Sequence, residues 1–204
     1  MKKNQLINEL RTDLVPMSDV WSYQPTDMNP EWNGTYQQVR SGKQTYARPD
    51  RNESSFTLKL REDNPLGLNK YSAGIYVIYD TESCIYIGKT DTKISQRFHA
   101  HITKLTATNN KRHHHPEKWQ AYAKWRAENK TGALNRLNNF SIGFYDLSNF
   151  LKFLDGETNQ DLMDDMEALI FYGLCSANDK YPLLNTEHQV GSRKAREKWR
   201  QFFQ

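Results

Sequence analysis

The sequence has few of the features that mark secreted or membrane proteins. It contains two cysteines in 204 residues, Cys84 and Cys175, which are too few for a disulfide framework. It has no apolar run of about 20 residues, the length that a membrane-spanning helix requires. The opening segment Met1–Gln5 is polar, unlike a signal peptide. We therefore expect a soluble, cytoplasmic protein without a membrane partner.

The length of 204 residues fits one ordinary domain, or one domain with an appendage. Apolar residues make up 37% of the chain and aromatic residues 12%, which is enough to bury a core beneath a polar surface. These values argue against a multidomain enzyme.

The net charge of +4 is unevenly distributed along the chain. Residues 71–140 carry +6 and residues 190–204 carry +4, whereas residues 141–189 carry −7. Such blocks suit a basic face for a polyanion beside an acidic region. A solvated helix with a fortuitous bias gives a similar pattern, so charge alone leaves nucleic acid binding open.

The first 70 residues give weaker structural signals than the rest. Apolar residues recur at helical spacing from Leu6 to Leu14, which predicts a short amphipathic helix. Residues 16–55 read as irregular, so we expect either hidden short strands or an arm that orders on a partner. Their scattered aromatic side chains suit core or dimer packing better than stacking on bases. Alternation over residues 56–60 predicts a strand.

Residues 74–87 predict a β-hairpin. The run 74–79 is β-branched and aromatic, residues 80–83 are turn material, and residues 84–87 are apolar again. The next predicted element is a helix that is capped by Asp91 or Thr92 and has the apolar stripe Ile94, Phe98, Ile102 and Leu105. A second helix is predicted from Pro116 past Arg126, and a strand over 140–144. Two more helices follow, one with core-facing residues between Leu162 and Leu174 and a last one capped by Ser192.

Two tripeptides stand on the paired strands of this hairpin, Gly74-Ile75-Tyr76 and Tyr86-Ile87-Gly88. Together they resemble the signature of the GIY-YIG nucleases. Nine residues separate Tyr76 from Tyr86, which is a shorter spacing than the family usually has.

Four later residues match further family positions in the same order. The family has an arginine beyond the second tripeptide, a histidine one turn later in its restriction enzymes, and then a helical glutamate and a loop asparagine. Arg97, His101, Glu167 and Asn185 occupy these places. The stretch between Glu167 and Asn185 is longer than usual, and the resemblance covers roughly residues 72–187.

The resemblance implies an α+β fold, in which a small three-stranded antiparallel sheet is flanked by helices. We divide the chain accordingly. Residues 1–70 form an N-terminal extension for DNA recognition or dimerisation, residues 71–190 form the catalytic domain, and residues 191–204 form a basic C-terminal helix.

The hairpin residues also have ordinary structural interpretations. Tyr76 and Tyr86 each point away from the face of their strand neighbours, and two such tyrosines can simply pack across strands. Gly88 ends a strand where a side chain would block close approach. Lys89 follows directly and either admits a phosphate or is a solvated lysine.

The helical candidates have ordinary interpretations as well. Arg97 and His101 are four residues apart and hence neighbours on a helix, where a guanidinium can grip a phosphate or simply face solvent. Glu167 lies beside a hydrophobic stripe, so its carboxylate needs a partner, either a cation of the protein or a metal.

The resemblance implies metal-dependent phosphodiester hydrolysis with one role for each residue. Glu167 would hold one Mg²⁺, for which Mn²⁺ can substitute, and Arg97 would clamp the phosphate. Tyr76 would be the general base, activated by positive charge from Lys89, Arg97 or His101. His101 could alternatively relay the proton. In the same scheme, Tyr86 and Asn185 orient water, phosphate or their neighbours.

The short extensions resemble those of small type II restriction endonucleases. We therefore expect an endodeoxyribonuclease that binds double-stranded DNA as a homodimer. The runner-up is a non-specific nuclease of a phage or mobile element. An alternative from another class is a catalytically silent module that binds nucleic acid.

Three further features receive structural interpretations. Residues 113–115 are three histidines, which we take as a basic loop rather than a metal site. Cys84 and Cys175 lie in apolar segments and are expected to be buried free thiols. The basic last helix either contacts DNA phosphates or is a solvated amphipathic helix.

Overall fold

The helices and strands of the chain fall into two units. A computed structural model describes residues 12–25, 36–41, 44–49, 56–91, 94, 97, 101, 118, 122, 140–147, 159–178 and 182–204. Unit 1 combines Met1–Val15, Lys70–Ile94 and Phe140–Gln204. Unit 2 combines Pro16–Asn69 and Ser95–Asn139. The division into domains at residues 70 and 190 stays a prediction.

In chain order the elements are β1 (Val15–Pro16), α1 (Met17–Val20), β2 (Trp21–Pro25), β3 (Tyr36–Ser41), β4 (Gln44–Pro49), β5 (Phe56–Leu60), β6 (Gly74–Asp80), β7 (Ser83–Thr90), β8 (Phe140–Asp146), α2 (Asn159–Asn178), a 3-10 turn (Glu187–Gln189) and α3 (Arg193–Phe203).

The predicted hairpin forms the centre of the sheet in unit 1. Strands β6 and β7 pair antiparallel, with Tyr76 opposite Gly88 and Ile75 opposite Lys89. Strand β8 pairs antiparallel on the other side of β6. The strand order is β1-β8-β6-β7. The three predicted strands and the α+β fold are therefore confirmed, and the two-residue strand β1 adds a fourth member.

The core of unit 1 lies between this sheet and the last two helices. Strand residues Ile75, Val77 and Ile87 alternate along β6 and β7 and so point to one face. The residues that cover this face come from α2 and α3, and include Met163, Met166, Leu169, Ile170, Trp199 and Phe203. The helical spacing of these side chains predicted both helices, because residues three and four apart share a helix face.

A capped start and a buried polar contact hold α3 in place. The Ser192 hydroxyl accepts a hydrogen bond from the Ala195 N–H at 3.2 Å, which confirms the predicted cap. Trp199 Nε1 donates to Asp165 Oδ1 at 2.8 Å, and Lys198 Nζ donates to Asp165 Oδ2 at 2.7 Å. The Asp165 carboxylate is thus satisfied by α3, although it is buried in α2.

Unit 2 contains the short strands expected within residues 16–55. Strand β2 pairs antiparallel with β5, and β3 pairs antiparallel with β4. The predicted strand over 56–60 is β5. Beyond it, buried Asn64 accepts a hydrogen bond from the Leu68 N–H at 2.8 Å and donates to the Arg61 and Leu68 carbonyls, which closes a turn.

Some predicted helices fall partly or wholly on residues that are not described. Residues 12–14 are not helical, and the rest of the predicted helix over Leu6–Leu14 lies outside the described residues. In the next two predicted helices, the described residues 94, 97, 101, 118 and 122 are helical. The three histidines at 113–115 lie outside the described residues. None of the described helices combines the length and the apolar composition that crossing a membrane requires.

The hydrogen bonds to Asp165 make a prediction about stability. Asp165→Ala leaves the buried Trp199 N–H without its acceptor, so we expect a loss of about 1–3 kcal/mol in the free energy of unfolding. Asp165→Asn retains an acceptor oxygen and should lose less. Chemical denaturation measures both, and equal losses would show that the hydrogen bond to Trp199 is not the cause.

Candidate active site

Two tyrosines pack over a glycine on one face of the hairpin. Tyr76 is 1% exposed, and its ring centroid lies 6.1 Å from that of Tyr86 at an angle of 43°. A Cβ atom on Gly88 would lie 2.5 Å from Tyr76 Cζ and 2.7 Å from Tyr86 Cε1. No side chain fits there, because contacts under 3.0 Å force something to shift. Both motif tyrosines therefore require the glycine of the second tripeptide.

A cluster of charges lies on the opposite face of the same strands. Lys89 pairs with Ile75 in the register, and Ile75 faces α2. The Lys89 ammonium group forms an ion pair with Asp164 and lies 3.4 Å from Glu167 Oε2. The structure thus joins two predicted site residues, Lys89 and Glu167, and it adds Asp164.

Glu167 is held in this cluster by two donors. Glu167 is 4% exposed, and its Oε2 accepts a hydrogen bond from the Gly191 N–H at 2.8 Å. Burial raises the pKa of Glu167, since a desolvated carboxylate is costly, although Lys89 and the Gly191 N–H oppose the shift. Of the two partners that the sequence left open for this carboxylate, a cation of the protein or a metal, Lys89 supplies the first.

Lys89 responds to the same carboxylates. Burial by itself lowers the pKa of Lys89, but its hydrogen bond to Asp164 and the charges of Asp164 and Glu167 outweigh burial and raise the pKa. Lys89 is therefore a fixed positive charge at neutral pH.

Asn185 acts on the edge strand β7. Its Oδ1 accepts from the Ile87 N–H at 2.7 Å, and its Nδ2 donates to the Ile87 carbonyl at 2.8 Å. The Leu184 N–H donates to the Ile85 carbonyl at 2.8 Å, which continues the pairing. The asparagine side chain thus satisfies both edge-facing backbone groups of a motif residue that lies 98 positions away.

Two predicted site residues belong to unit 2. Arg97 is helical and exposed, and His101 is helical and 4% exposed. Their association with Tyr76 and Glu167 stays a prediction that rests on the order of the residues along the chain.

Sequence reasoning missed Asp164 and Gly191. Asp164 lies three residues before Glu167 and so on the same helix face, a spacing that could have revealed it. Gly191 has no comparable signal, because its contact with Glu167 depends on how the loop before α3 folds back.

The described histidine, cysteine and acidic side chains do not form a larger metal-binding cluster. Within the described ranges, no group of three or more histidine, cysteine, aspartate and glutamate side chains could hold a metal ion. Cys84 and Cys175 are free, as expected, but they are half-buried rather than buried. Burial raises the pKa of each thiol to about 12, which keeps both protonated and unreactive.

The fit of the tyrosines over Gly88 predicts a specific coupling. Gly88→Ala should cost about 1–3 kcal/mol of stability, because the added methyl group meets the Tyr76 phenol. In a Tyr76→Leu background the same substitution should cost less, since the phenol is gone. Denaturation of the four proteins measures the coupling, and identical costs in both backgrounds would contradict this packing.

Comparison with known proteins identifies this hairpin. The family model described as the GIY-YIG catalytic domain matches residues 72–133, a stretch that contains β6, β7, Arg97 and His101. Neither the curated proteins nor the solved structures give a significant match to the chain. The two tripeptides on paired strands and the helical glutamate beside them agree with this match, so this part of the chain is similar to the GIY-YIG catalytic domain.

Proposed function

We propose that the protein is a metal-dependent endonuclease that hydrolyses phosphodiester bonds in duplex DNA, and that it acts in the cytoplasm as a type II restriction endonuclease. The observation that carries the proposal is the buried Glu167 carboxylate, held by Lys89 and the Gly191 N–H beside the GIY-YIG hairpin. If Glu167 served only in a structural ion pair, the neighbouring hairpin would not need the two tyrosines or the motif glycine.

The donor set around Glu167 fits one Mg²⁺ or Mn²⁺. Carboxylate oxygens are hard ligands, and Mg²⁺ commonly takes one or two of them while keeping water and phosphate oxygens. Glu167 would hold the ion, while its Oε2 also accepts a hydrogen bond from the Gly191 N–H and lies near Lys89. Asp164 supplies a second carboxylate nearby, through its ion pair with Lys89. A bound ion would stabilise the negative charge on the leaving oxygen.

We assign general-base catalysis to Tyr76. An ordinary phenol has a pKa of about 10, so the tyrosine needs nearby positive charge to accept a proton from water at neutral pH. Lys89 was one candidate source, but its ammonium group is engaged by two carboxylates on the other face of β7. We therefore favour Arg97 or His101 as the source of this charge.

The remaining candidate residues bind or orient. The exposed guanidinium of Arg97 suits a phosphate clamp, because it presents several donors in a fixed plane. His101 can relay a proton from Tyr76. We assign Tyr86 to orienting water or phosphate through its packing against Tyr76. Asn185 orients its neighbours by holding Ile87.

The restriction role rests on Arg97 and His101, which stand four residues apart, as an arginine and a histidine do in the restriction enzymes that the sequence resembles. A two-fold dimer would place one site on each strand of the duplex. The second candidate is a non-specific or mobile-element nuclease. The retained tyrosines and buried glutamate argue against a catalytically silent module.

Two substitutions test the assignment of the site. Glu167→Gln removes the charge that would hold the ion, and Tyr76→Phe removes the general base, so each should reduce the cleavage rate at least about 100-fold. DNA binding without metal should persist. Plasmid nicking with and without Mg²⁺ measures the rate, with Glu82→Gln in the exposed hairpin turn as control. Substantial turnover by either variant rejects its assigned role.

The products of digestion test the restriction role. A sequence-specific dimer should cut plasmid and phage DNA into discrete fragments with uniform ends, because both strands are cut at one recognition sequence. Gel electrophoresis and sequencing of the ends provide the measurement. A smear of random ends would instead support the non-specific nuclease.

A further inference from the structure

Residues 188–191, just before α3, are held by the guanidinium group of Arg196. Arg196 Nη1 donates to the Gly191 carbonyl at 2.9 Å and to the Val190 carbonyl at 3.0 Å, and it lies 3.4 Å from the His188 carbonyl. Three contacts from residues 188, 190 and 191 thus converge on one nitrogen. Arg196 therefore fixes the path of this segment, which we name the 188–191 segment.

The same segment presents the donor that holds Glu167. Gly191 has a φ of +54°, a conformation that favours glycine, and its N–H donates to Glu167 Oε2. A Cβ atom on Gly191 would collide with the Asp164 carbonyl oxygen and would lie 3.4 Å from the Ala168 Cβ. The segment thus rests directly on the turn of α2 that carries both carboxylates.

A second arginine of α3 anchors the loop at the start of this segment. Arg200 Nε donates to Glu187 Oε1 at 3.0 Å, and the Tyr172 hydroxyl donates to the same oxygen. Glu187 stands two residues after Asn185, which pairs with Ile87. The loop is therefore tied to β7, α2 and α3 in succession.

We propose that Arg196 is a positioning residue for Glu167, and that it acts by holding the Gly191 N–H against the carboxylate. The proposal rests on the proposed function, since it assumes that Glu167 takes part in cleavage. Of the two interpretations of the basic last helix, DNA contact or a solvated amphipathic helix, the proposal excludes DNA contact for Arg196. A guanidinium that donates to several backbone carbonyls serves the loop rather than a DNA phosphate.

The decisive comparison is between two arginines of α3. Arg196→Met removes the donors but keeps the length of the side chain. Arg193→Met is the control, because Arg193 is exposed and pairs with Glu197 on its own helix. Three measurements apply to each full-length variant: the hydrogen exchange rate of the Gly191 amide by NMR, the Mg²⁺ concentration that gives half-maximal cleavage, and the affinity for duplex DNA without metal.

For Arg196→Met we expect the Gly191 amide to exchange about three to ten times faster, as befits the loss of one hydrogen bond. The half-maximal Mg²⁺ concentration should rise by a similar factor, with little change in the rate at saturating Mg²⁺ and in DNA affinity. Arg193→Met should leave the exchange rate, the half-maximal Mg²⁺ concentration and the DNA affinity unchanged. Arg196→Lys should lie between Arg196→Met and the wild-type protein. If Arg196→Met folds poorly, Gly191→Ala should also raise the half-maximal Mg²⁺ concentration, because its methyl group lifts the segment from α2.

Two results would overturn the proposal. One is an unchanged Gly191 exchange rate in folded Arg196→Met. The other is weaker DNA binding with a salt dependence reduced by about one phosphate contact, which would make Arg196 a DNA ligand. If the wild-type protein does not cleave DNA with Mg²⁺, the proposed function fails, whereas the exchange rate still tests the contact between Arg196 and the loop.

Discussion

The burial of the Glu167 carboxylate is the constraint on which the rest of the site depends. A charged group in a protein interior is costly unless other groups compensate for the lost water. Here the compensation comes from two separate parts of unit 1, the Lys89 ammonium group on β7 and the Gly191 N–H before α3. Because both must arrive at one oxygen, the hairpin, α2 and the loop before α3 are positioned relative to one another.

The hairpin meets a second constraint on its other face, where packing rather than charge decides. Tyr76 and Tyr86 close over Gly88, and no larger residue fits beneath them. Adjacent positions of β7 thus serve opposite faces, since Gly88 admits the tyrosines and Lys89 reaches the carboxylates. The pleat of β7 therefore lets successive residues meet two different requirements.

The basic C-terminal helix forms ion pairs with acidic residues of the protein itself. Its cations are largely engaged within the protein: Arg193 pairs with Glu197, Lys198 with Asp165 and Arg200 with Glu187, while Arg196 binds backbone carbonyls. Part of the −7 in residues 141–189 is thus balanced by the +4 in residues 190–204. A charge count cannot separate such internal balance from a surface for DNA, because the count carries no positions.

Sequence alone determined the local features of this protein. Alternation along the hairpin, the two tripeptides, the apolar stripe of α2 and the Ser192 cap depend on neighbouring residues. Their periodicity and order therefore sufficed to predict the hairpin strands, two helices and the similarity to the GIY-YIG catalytic domain. Tertiary structure decided which groups meet. The pairing of Lys89 with Asp164, of Asn185 with Ile87, and of Arg196 with the 188–191 segment joins side chains to partners on other elements or in the loop, and no local pattern encodes such a meeting. The physical reason is that each contact depends on how a helix or loop packs against the sheet, which the whole core settles together.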